Sequence, residues 1–499
     1  MKGNRLSAIF KGKSGDSFFL IFVRMVTLVL GLLVTRVLSG YFSLQDYGTY
    51  SQIMLLTTTI SSMTILGMMD GVNFFFCKEK DEKKRDAYIS TIFFMQYAVG
   101  IVVSLTVLIC AGPISKYFGN DSVKSLIAFA AILPVAQNTI SLLQIMFIAI
   151  GKARQIAIRN LLVSILKLVA VTLACYVFNN IAVIFLCQAI IDILQILYFA
   201  WVLRKNQCKI NVLNFDKSLI KEILVYCIPM AMFTVIKSLN RDADKYVISF
   251  FTNTETLAVY TNASKILPFD IIMTSFCTVL LPYITRYIAR KKYDECRRLY
   301  KAFLELSYIA TTILAVGAIC VAPELMRFLY TDKYTTNGFG ITVFVIYILV
   351  DILSVMNITL ILSAAGKTKT ILFASIGTFV ANIVLNIVLF LVMKETGPAV
   401  ATLIVTAIQG IVLLSLGARE LKTNIFRMFH LEYLLRFIMQ ILAAAMIAAV
   451  LRRIMVNIQL SYLVILFTVY GFFTGAMLLM NKKRLFVNLK AINESKEDN

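Results

Sequence analysis

Long runs of apolar residues recur along the whole chain, and short polar segments separate them. A run of about 20 apolar residues is long enough for an α-helix to cross a hydrocarbon core of roughly 30 Å. The pattern therefore predicts an all-α membrane protein with about 14 transmembrane helices. The predicted spans are residues 17–40, 51–76, 87–111, 122–150, 156–178, 181–203, 223–250, 257–287, 302–321, 338–365, 370–393, 398–416, 433–451 and 461–480.

The polar segments alternate in charge along the chain. One set of alternate segments holds about 33 basic residues, and the other set holds about five. Because basic loops remain on the cytoplasmic side, this asymmetry predicts that the N- and C-termini are both cytoplasmic. It also accounts for most of the formal net charge of +22, so no nucleic acid is expected as a partner.

A weak internal repeat divides the predicted helices into two halves. Gly48–Tyr50 matches Ala258–Tyr260, and Pro113 matches Pro323, each 210 positions later. The period is six helices, an even number, so both copies enter the membrane in the same direction. Such parallel repeats are typical of transporters that work by alternating access. The predicted parts are residues 1–215 (helices 1–6), 216–425 (helices 7–12) and 426–499 (helices 13–14 and a cytoplasmic tail).

Composition supports a membrane protein and argues against most catalytic chemistry. Hydrophobic residues make up 59% of the chain and charged residues 15%, and the mean hydropathy is +0.82. The nine cysteines form no CxxC pair and His430 is the single histidine, so no metal site is expected. The chain has no complete nucleotide-binding loop and no long outer loop. We therefore expect no cofactor, no direct use of ATP and no enzymatic activity.

Basic side chains inside the predicted spans are candidates for substrate binding. Each costs about 2.5–3.5 kcal/mol at a helix centre on insertion scales, which marks it as a functional candidate. Lysine and arginine attract phosphate or pyrophosphate, and arginine can bind either group bidentately. These basic side chains either line a cationic cavity or pair structurally with acids. The candidates are Arg24, Arg36, Lys167, Lys237, Arg241 and Lys265.

Acidic side chains inside the spans allow two interpretations. A carboxylate at that depth either couples transport to a proton or cation, or serves as the counter-ion of a nearby base. Asp244 follows Lys237 and Arg241 at i, i+4, i+7 spacing, which predicts that the three residues share one helix face. The candidates for ion coupling are Asp192, Asp244, Asp270 and Asp351.

Several motifs in order resemble a known family of exporters. Among them are Thr35–Leu38, Asp46–Tyr50, Asp244–Ile248, Ala322–Glu324 and Thr396–Thr402. Together they resemble the multidrug/oligosaccharidyl-lipid/polysaccharide (MOP) exporter superfamily, and in particular its Wzx-type polysaccharide flippases. The resemblance covers about residues 15–480. It implies two six-helix lobes, a cationic central cavity and a bacterial inner-membrane location.

The resemblance also implies a substrate and roles for individual residues. The expected substrate is an undecaprenyl-pyrophosphate-linked oligosaccharide, flipped to the outer leaflet for O-antigen, capsule or exopolysaccharide synthesis. Arg24, Arg36 and Lys265 would contact the pyrophosphate, and Lys237 and Arg241 would lie deeper. H⁺ or Na⁺ would be the coupling ion, and membrane lipids and a polysaccharide polymerase would be partners. A peptidoglycan-precursor (lipid II) flippase is the main alternative, and a cation-coupled drug antiporter fits less well.

Overall fold

The computed structural model describes residues 13–79, 81–150, 152–205, 215–265, 269, 271–335 and 338–497. Within these ranges the chain is helical and contains no β-strand, which confirms the predicted all-α class. The helices are α1 (Lys13–Tyr41), α2 (Leu44–Thr64), α3 (Met68–Lys78), α4 (Glu82–Ile109), α5 (Ala111–Phe118), α6 (Ser122–Ala149), α7 (Ala153–Leu173), α8 (Ile181–Lys205), α9 (Ile220–Phe251), α10 (Thr254–Ala263), α11 (Ile271–Ala289), α12 (Tyr293–Cys320), α13 (Ala322–Tyr330), α14 (Phe339–Ser354), α15 (Leu360–Ala364), α16 (Thr368–Met393), α17 (Gly397–Glu420), α18 (Leu431–Asn457) and α19 (Tyr462–Glu497).

Ten helical stretches in the described residues are long and apolar enough to cross a membrane, or twelve if two bent pairs are counted as spans. The predicted number of fourteen is not confirmed. One bend, of 43°, separates α2 from α3. It lies at Gly67, whose φ of +66° is a left-handed conformation that glycine adopts without steric cost. The other bend, of 42°, divides α9 at position 229, a proline that has no N–H to donate.

Contacts between helices divide the chain into two compact units. The first comprises Met1–Asp242 and Ser249–Ala258, and the second comprises Ala243–Ile248 and Val259–Asn499. The predicted boundaries near residues 215 and 425 stay a prediction.

The first unit is built around α6, which packs against α2, α3, α4 and α8, while α1 packs along α7. Phe147 of α6 meets Phe199 of α8 edge to face, with ring centroids 4.6 Å apart. Polar groups are also paired between helices here. The Asn138 amide donates to the Thr64 hydroxyl at 2.8 Å and joins α6 to α2. Such amide bonds between helices are typical of membrane proteins.

The second unit is built around α12, which packs against α11, α14, α18 and α19. One hydrophobic core runs through α11, α12, α18 and α19 and includes Phe303, Phe437 and Phe473. The two C-terminal helices, which lie outside the predicted repeat, therefore share the core of this unit. Burial of that surface is the main reason why they stay attached.

Two ion pairs add to this attachment. Arg484 of α19 pairs with the buried Glu305 of α12, and Arg452 of α18 donates from Nε to Glu324 of α13 at 2.9 Å. The His430 Nε2 atom lies 3.6 Å from Glu305. Burial lowers the pKa of His430, so its imidazole is neutral at pH 7 and Arg484 supplies the positive charge.

The order of helix lengths repeats between the units. The long helix α4 is followed by the short α5 and the long α6, and α12 is followed in the same way by the short α13 and the long α14. Pro113 and Pro323 both lie in the first turn of the short helix, where proline removes no intrahelical hydrogen bond. The paired prolines of the sequence thus mark equivalent elements.

Candidate functional site

Three of the predicted cations are exposed although they lie within long apolar helices. Arg24 lies on α1, and Lys237 and Arg241 lie one turn apart on α9. Arg241 keeps 59% of its side chain exposed while it pairs with Asp242 at 3.2 Å. Neither Arg24 nor Lys237 forms a side-chain hydrogen bond or ion pair with any residue within the described ranges.

The remaining cations are partly buried. Arg36 lies near the end of α1, and Lys265 follows α10. The Lys265 ammonium is 5.9 Å from the centre of the Tyr330 ring, within the distance at which a cation is attracted to an aromatic face. Lys167 belongs to a cluster in the first unit. Asp270 lies outside the described residues.

Asp244 is the most fully enclosed of the predicted acids that lie in the described residues, with 1% of its surface exposed. Its Oδ2 atom accepts a hydrogen bond from the Tyr260 hydroxyl of α10 at 2.8 Å and another from the Tyr347 hydroxyl of α14. The carboxylate therefore joins three helix segments of the second unit. Its helical spacing from Lys237 and Arg241 is as predicted, but those two side chains are exposed and Asp244 is buried. The two tyrosines were not predicted, because nothing in the sequence relates them to Asp244.

Asp192 lies in the centre of a polar cluster in the first unit and is 2% exposed. The side-chain amides of Gln188 and Gln195 donate to its Oδ1 atom at 2.7 and 3.1 Å. Lys167 and Arg159 of α7 both interact electrostatically with this carboxylate. The structure thus brings together two predicted residues, Lys167 and Asp192, and adds Arg159. Arg159 was not predicted, because it lies near a helix end, where an arginine normally reaches towards water.

Asp351 and the two asparagines of α16 are also buried. Asp351 is 3% exposed on α14. The Asn386 amide donates to the Asn382 side-chain oxygen at 3.3 Å, as their i, i+4 spacing allows. Among the residues with described positions, no group of three or more His, Cys, Asp or Glu side chains has the arrangement of a metal site.

Comparison with known proteins assigns the chain to a family. Residues 33–337 match the family described as polysaccharide biosynthesis protein, and this match covers more than half of the 499 residues. The chain belongs to this polysaccharide biosynthesis protein family. The matched region contains α2 to α13, with the exposed cations of α9 and the buried Asp192 and Asp244.

The chain is also similar in sequence to a probable lipid flippase. The probable lipid II flippase MurJ of Rickettsia prowazekii (strain Madrid E) is 24% identical over 212 residues. That match covers 41% of this chain and 42% of the relative, so the chain spans less than half the length of the curated protein it matches.

Solved structures show that the similarity in fold extends over nearly the whole chain. The lipid II flippase MurJ in an inward closed conformation matches with a TM-score of 0.73 and 18% identity, over 93% of this chain and 99% of that chain. An inward-facing multidrug resistance MATE family transporter of the MOP superfamily matches with a TM-score of 0.66 and 13% identity, over 81% and 98%. The fold expected from the predicted superfamily is confirmed, and the narrower Wzx-type assignment is not.

Proposed function

We propose that the chain is a flippase for a lipid-linked oligosaccharide. Its substrate is an undecaprenyl-pyrophosphate-linked repeat unit, which it moves from the cytoplasmic to the outer leaflet of a bacterial inner membrane. The product feeds the synthesis of O-antigen, capsule or exopolysaccharide through a polymerase. Both termini are cytoplasmic in this proposal, and the protein performs no covalent chemistry.

The exposure of Lys237 and Arg241 carries this proposal. Both lie in the middle of the 32-residue helix α9, far from its ends. Facing hydrocarbon, each would cost about 2.5–3.5 kcal/mol, so an exposed cation at that depth requires water or an anion beside it. Asp242 provides an anion for Arg241, and the exposed side of both cations still requires water or a further anion. An aqueous path lined by these cations suits a pyrophosphate, whose charge is the part of the substrate that the bilayer opposes most strongly.

Asp244 is the best candidate for ion coupling. A carboxylate held by two tyrosine hydroxyls can bind a proton or Na⁺ and release it when the helices that carry the tyrosines move. Asp192 faces two bases, which favours the role of counter-ion. Asp351 is buried on α14 and remains a further candidate, and Asp270 lies outside the described residues.

A lipid II flippase is the second candidate. The similarity of fold to MurJ over 93% of this chain favours it. Both substrates carry a pyrophosphate on a polyprenyl lipid, so the exposed cations suit either of them. A drug antiporter fits less well, since cationic drugs would be repelled by Arg24, Lys237 and Arg241.

A flipping assay tests the proposal. The full-length protein is reconstituted into liposomes with a fluorescent polyprenyl-pyrophosphate oligosaccharide, and transfer to the outer leaflet is followed by chemical quenching. Lys237→Gln and Arg241→Gln should each slow transfer by about 10- to 100-fold, because each removes a charge-assisted contact worth about 1.5–3 kcal/mol. Lys221→Gln is the matched control, since Lys221 is an exposed lysine at the start of the same helix.

Equal rates for Lys237→Gln, Arg241→Gln and Lys221→Gln would contradict the proposed role of the cations. Deletion of the gene separates the two substrates. Loss of surface polysaccharide with normal growth is expected, whereas lysis would assign the protein to the peptidoglycan precursor.

A further inference from the structure

An open cleft lies between α7 and α8 in the first unit, on a side of these helices that carries exposed apolar residues. Its volume is about 340 Å³, at the small end of the range for ligand sites. The walls are mainly aliphatic, and Leu162, Leu166 and Leu194 each keep about half of their surface exposed. The aliphatic part of this surface suits a hydrocarbon chain.

One charged side chain lies within this apolar cleft. Arg159 lines it and is 8% exposed. Its guanidinium donates to the side-chain oxygens of Gln195 and Gln144, the latter at 2.8 Å, and it lies 4.8 Å from the centre of the Phe199 ring. The Nε atom of Arg159 is buried and has no hydrogen-bond partner among the residues whose positions are described. A buried donor of this kind is costly unless a ligand accepts from it.

The charges around Arg159 do not balance. Arg159 and Lys167 both interact with Asp192, and this is the single carboxylate that the described residues place beside these two bases. Two positive charges therefore face one negative charge. An anion in the cleft would balance the second positive charge and would also accept a hydrogen bond from the Nε–H of Arg159.

The position of Arg159 along α7 suits a phospholipid. It lies six residues after the start of the helix at Ala153, or roughly 9 Å along the axis. That end of the helices is basic, with Arg154 on α7 and Arg204 on α8, and Trp201 is 63% exposed one turn beyond Tyr198 of the cleft. In the proposed topology this is the cytoplasmic side, where the phosphate and ester oxygens of inner-leaflet lipids lie.

We propose that this cleft binds one anionic glycerophospholipid of the inner leaflet. An acyl chain lies along the aliphatic walls, and the phosphate or an ester oxygen accepts from Arg159. The site lies within the first unit, and it is separate from the exposed cations to which the proposed function assigns the pyrophosphate. The inference rests on the proposed topology but not on the identity of the transported substrate.

The single tryptophan of the chain provides the measurement. The full-length protein is reconstituted in phosphatidylcholine, and Trp201 fluorescence is titrated with brominated phosphatidylglycerol or brominated phosphatidylcholine. Quenching by the anionic lipid should reach half its maximum at about fivefold lower mole fraction, as expected for one arginine near the membrane surface. Equal quenching by the two lipids would overturn the proposal.

Two variants and a control make the test specific. Arg159→Gln should remove the preference for phosphatidylglycerol. Leu194→Phe, which fills the cleft from an exposed position, should do the same without touching Arg159, so the test survives if the arginine variant fails to fold. Ile193→Phe is the matched control, because Ile193 is 54% exposed on another face of α8 and should leave the preference intact. An unchanged preference in Leu194→Phe would refute the site.

A competition experiment distinguishes this lipid from the carrier lipid of the substrate. Unlabelled polyprenyl phosphate should not relieve quenching by brominated phosphatidylglycerol, and relief at equal mole fraction would overturn the assignment. Flipping is not needed for any of these readings. Failure of the lipid site therefore leaves the proposed function standing, and failure of the flipping assay leaves the lipid site standing.

Discussion

At the scale of single residues, Asp244 shows how the second unit holds a buried charge. A carboxylate that is 1% exposed is costly unless donors surround it, and Tyr260 and Tyr347 provide two of them. These bonds join α10 and α14 to the segment of α9 within this unit. The same bonds would have to break or lengthen if the carboxylate takes up an ion during transport.

Removal of one of these donors should destabilise the protein. We expect Tyr347→Phe to lower the free energy of unfolding by about 1.5–3 kcal/mol, because it deletes a hydrogen bond to a charged group and leaves that group buried. Thermal unfolding of the purified protein in detergent measures the effect. Tyr176→Phe is the control, since Tyr176 is 69% exposed. Equal midpoints for the two variants would contradict this account of Asp244.

The candidate site was predictable from the sequence only in part. Charge and hydropathy identify Lys237, Arg241 and Asp244, because an ionisable residue within an apolar run is conspicuous. The partners of Asp244 are not predictable in this way. Tyr347 is 103 positions from Asp244, and only the folded chain brings its hydroxyl to the carboxylate.

At the scale of elements, the turn between α16 and α17 depends on Gly397. A Cβ atom at this position would lie 2.2 Å from the carbonyl oxygen of Leu389, so the start of α17 meets the last turns of α16 backbone to backbone. Backbone atoms cannot move aside as a flexible side chain can. This contact explains the glycine in the motif Thr396–Thr402, whose sequence alone indicates only a family resemblance.

Gly397→Ala should therefore be destabilising. We expect a loss of about 1–3 kcal/mol from overpacking, seen as a lower unfolding midpoint and less protein in the membrane. Gly377→Ala on α16 is the matched control, because nothing lies within 4 Å of its Cβ position and alanine favours a helix by up to about 1 kcal/mol. A Gly397→Ala variant as stable as Gly377→Ala would show that the close approach is not rigid.

The helices themselves were largely predictable. A segment that crosses a membrane must satisfy its backbone polar groups internally, so each long apolar run in the sequence indicates a helix. The predicted span at residues 122–150 corresponds closely to α6, Ser122–Ala149. The short helices α5 and α13 lie between predicted spans and were not predicted, since eight or nine residues carry too little periodicity. The bend at Gly67 also depends on a backbone conformation that hydropathy does not report.

At the scale of the whole molecule, the asymmetry of charge predicts the orientation in the membrane. The long helix α19 carries Lys482, Lys483 and Arg484 in its second half. Basic residues beside a span favour the cytoplasmic side. A fluorescent protein fused after residue 499 should therefore fluoresce, and alkaline phosphatase fused at the same point should be inactive. An active phosphatase would reverse the predicted topology and remove the basis for the inner-leaflet lipid site.

The central claim is that Lys237 and Arg241 face water although they lie in the middle of a membrane helix. It is tested most directly by labelling of single cysteines with a membrane-impermeant thiol reagent, in a variant whose native cysteines are replaced. Lys237→Cys and Arg241→Cys should react, whereas Met232→Cys should not, because Met232 is 52% exposed on the opposite face of the same helix and should meet lipid. Protection of positions 237 and 241 together with labelling of position 232 would contradict the account.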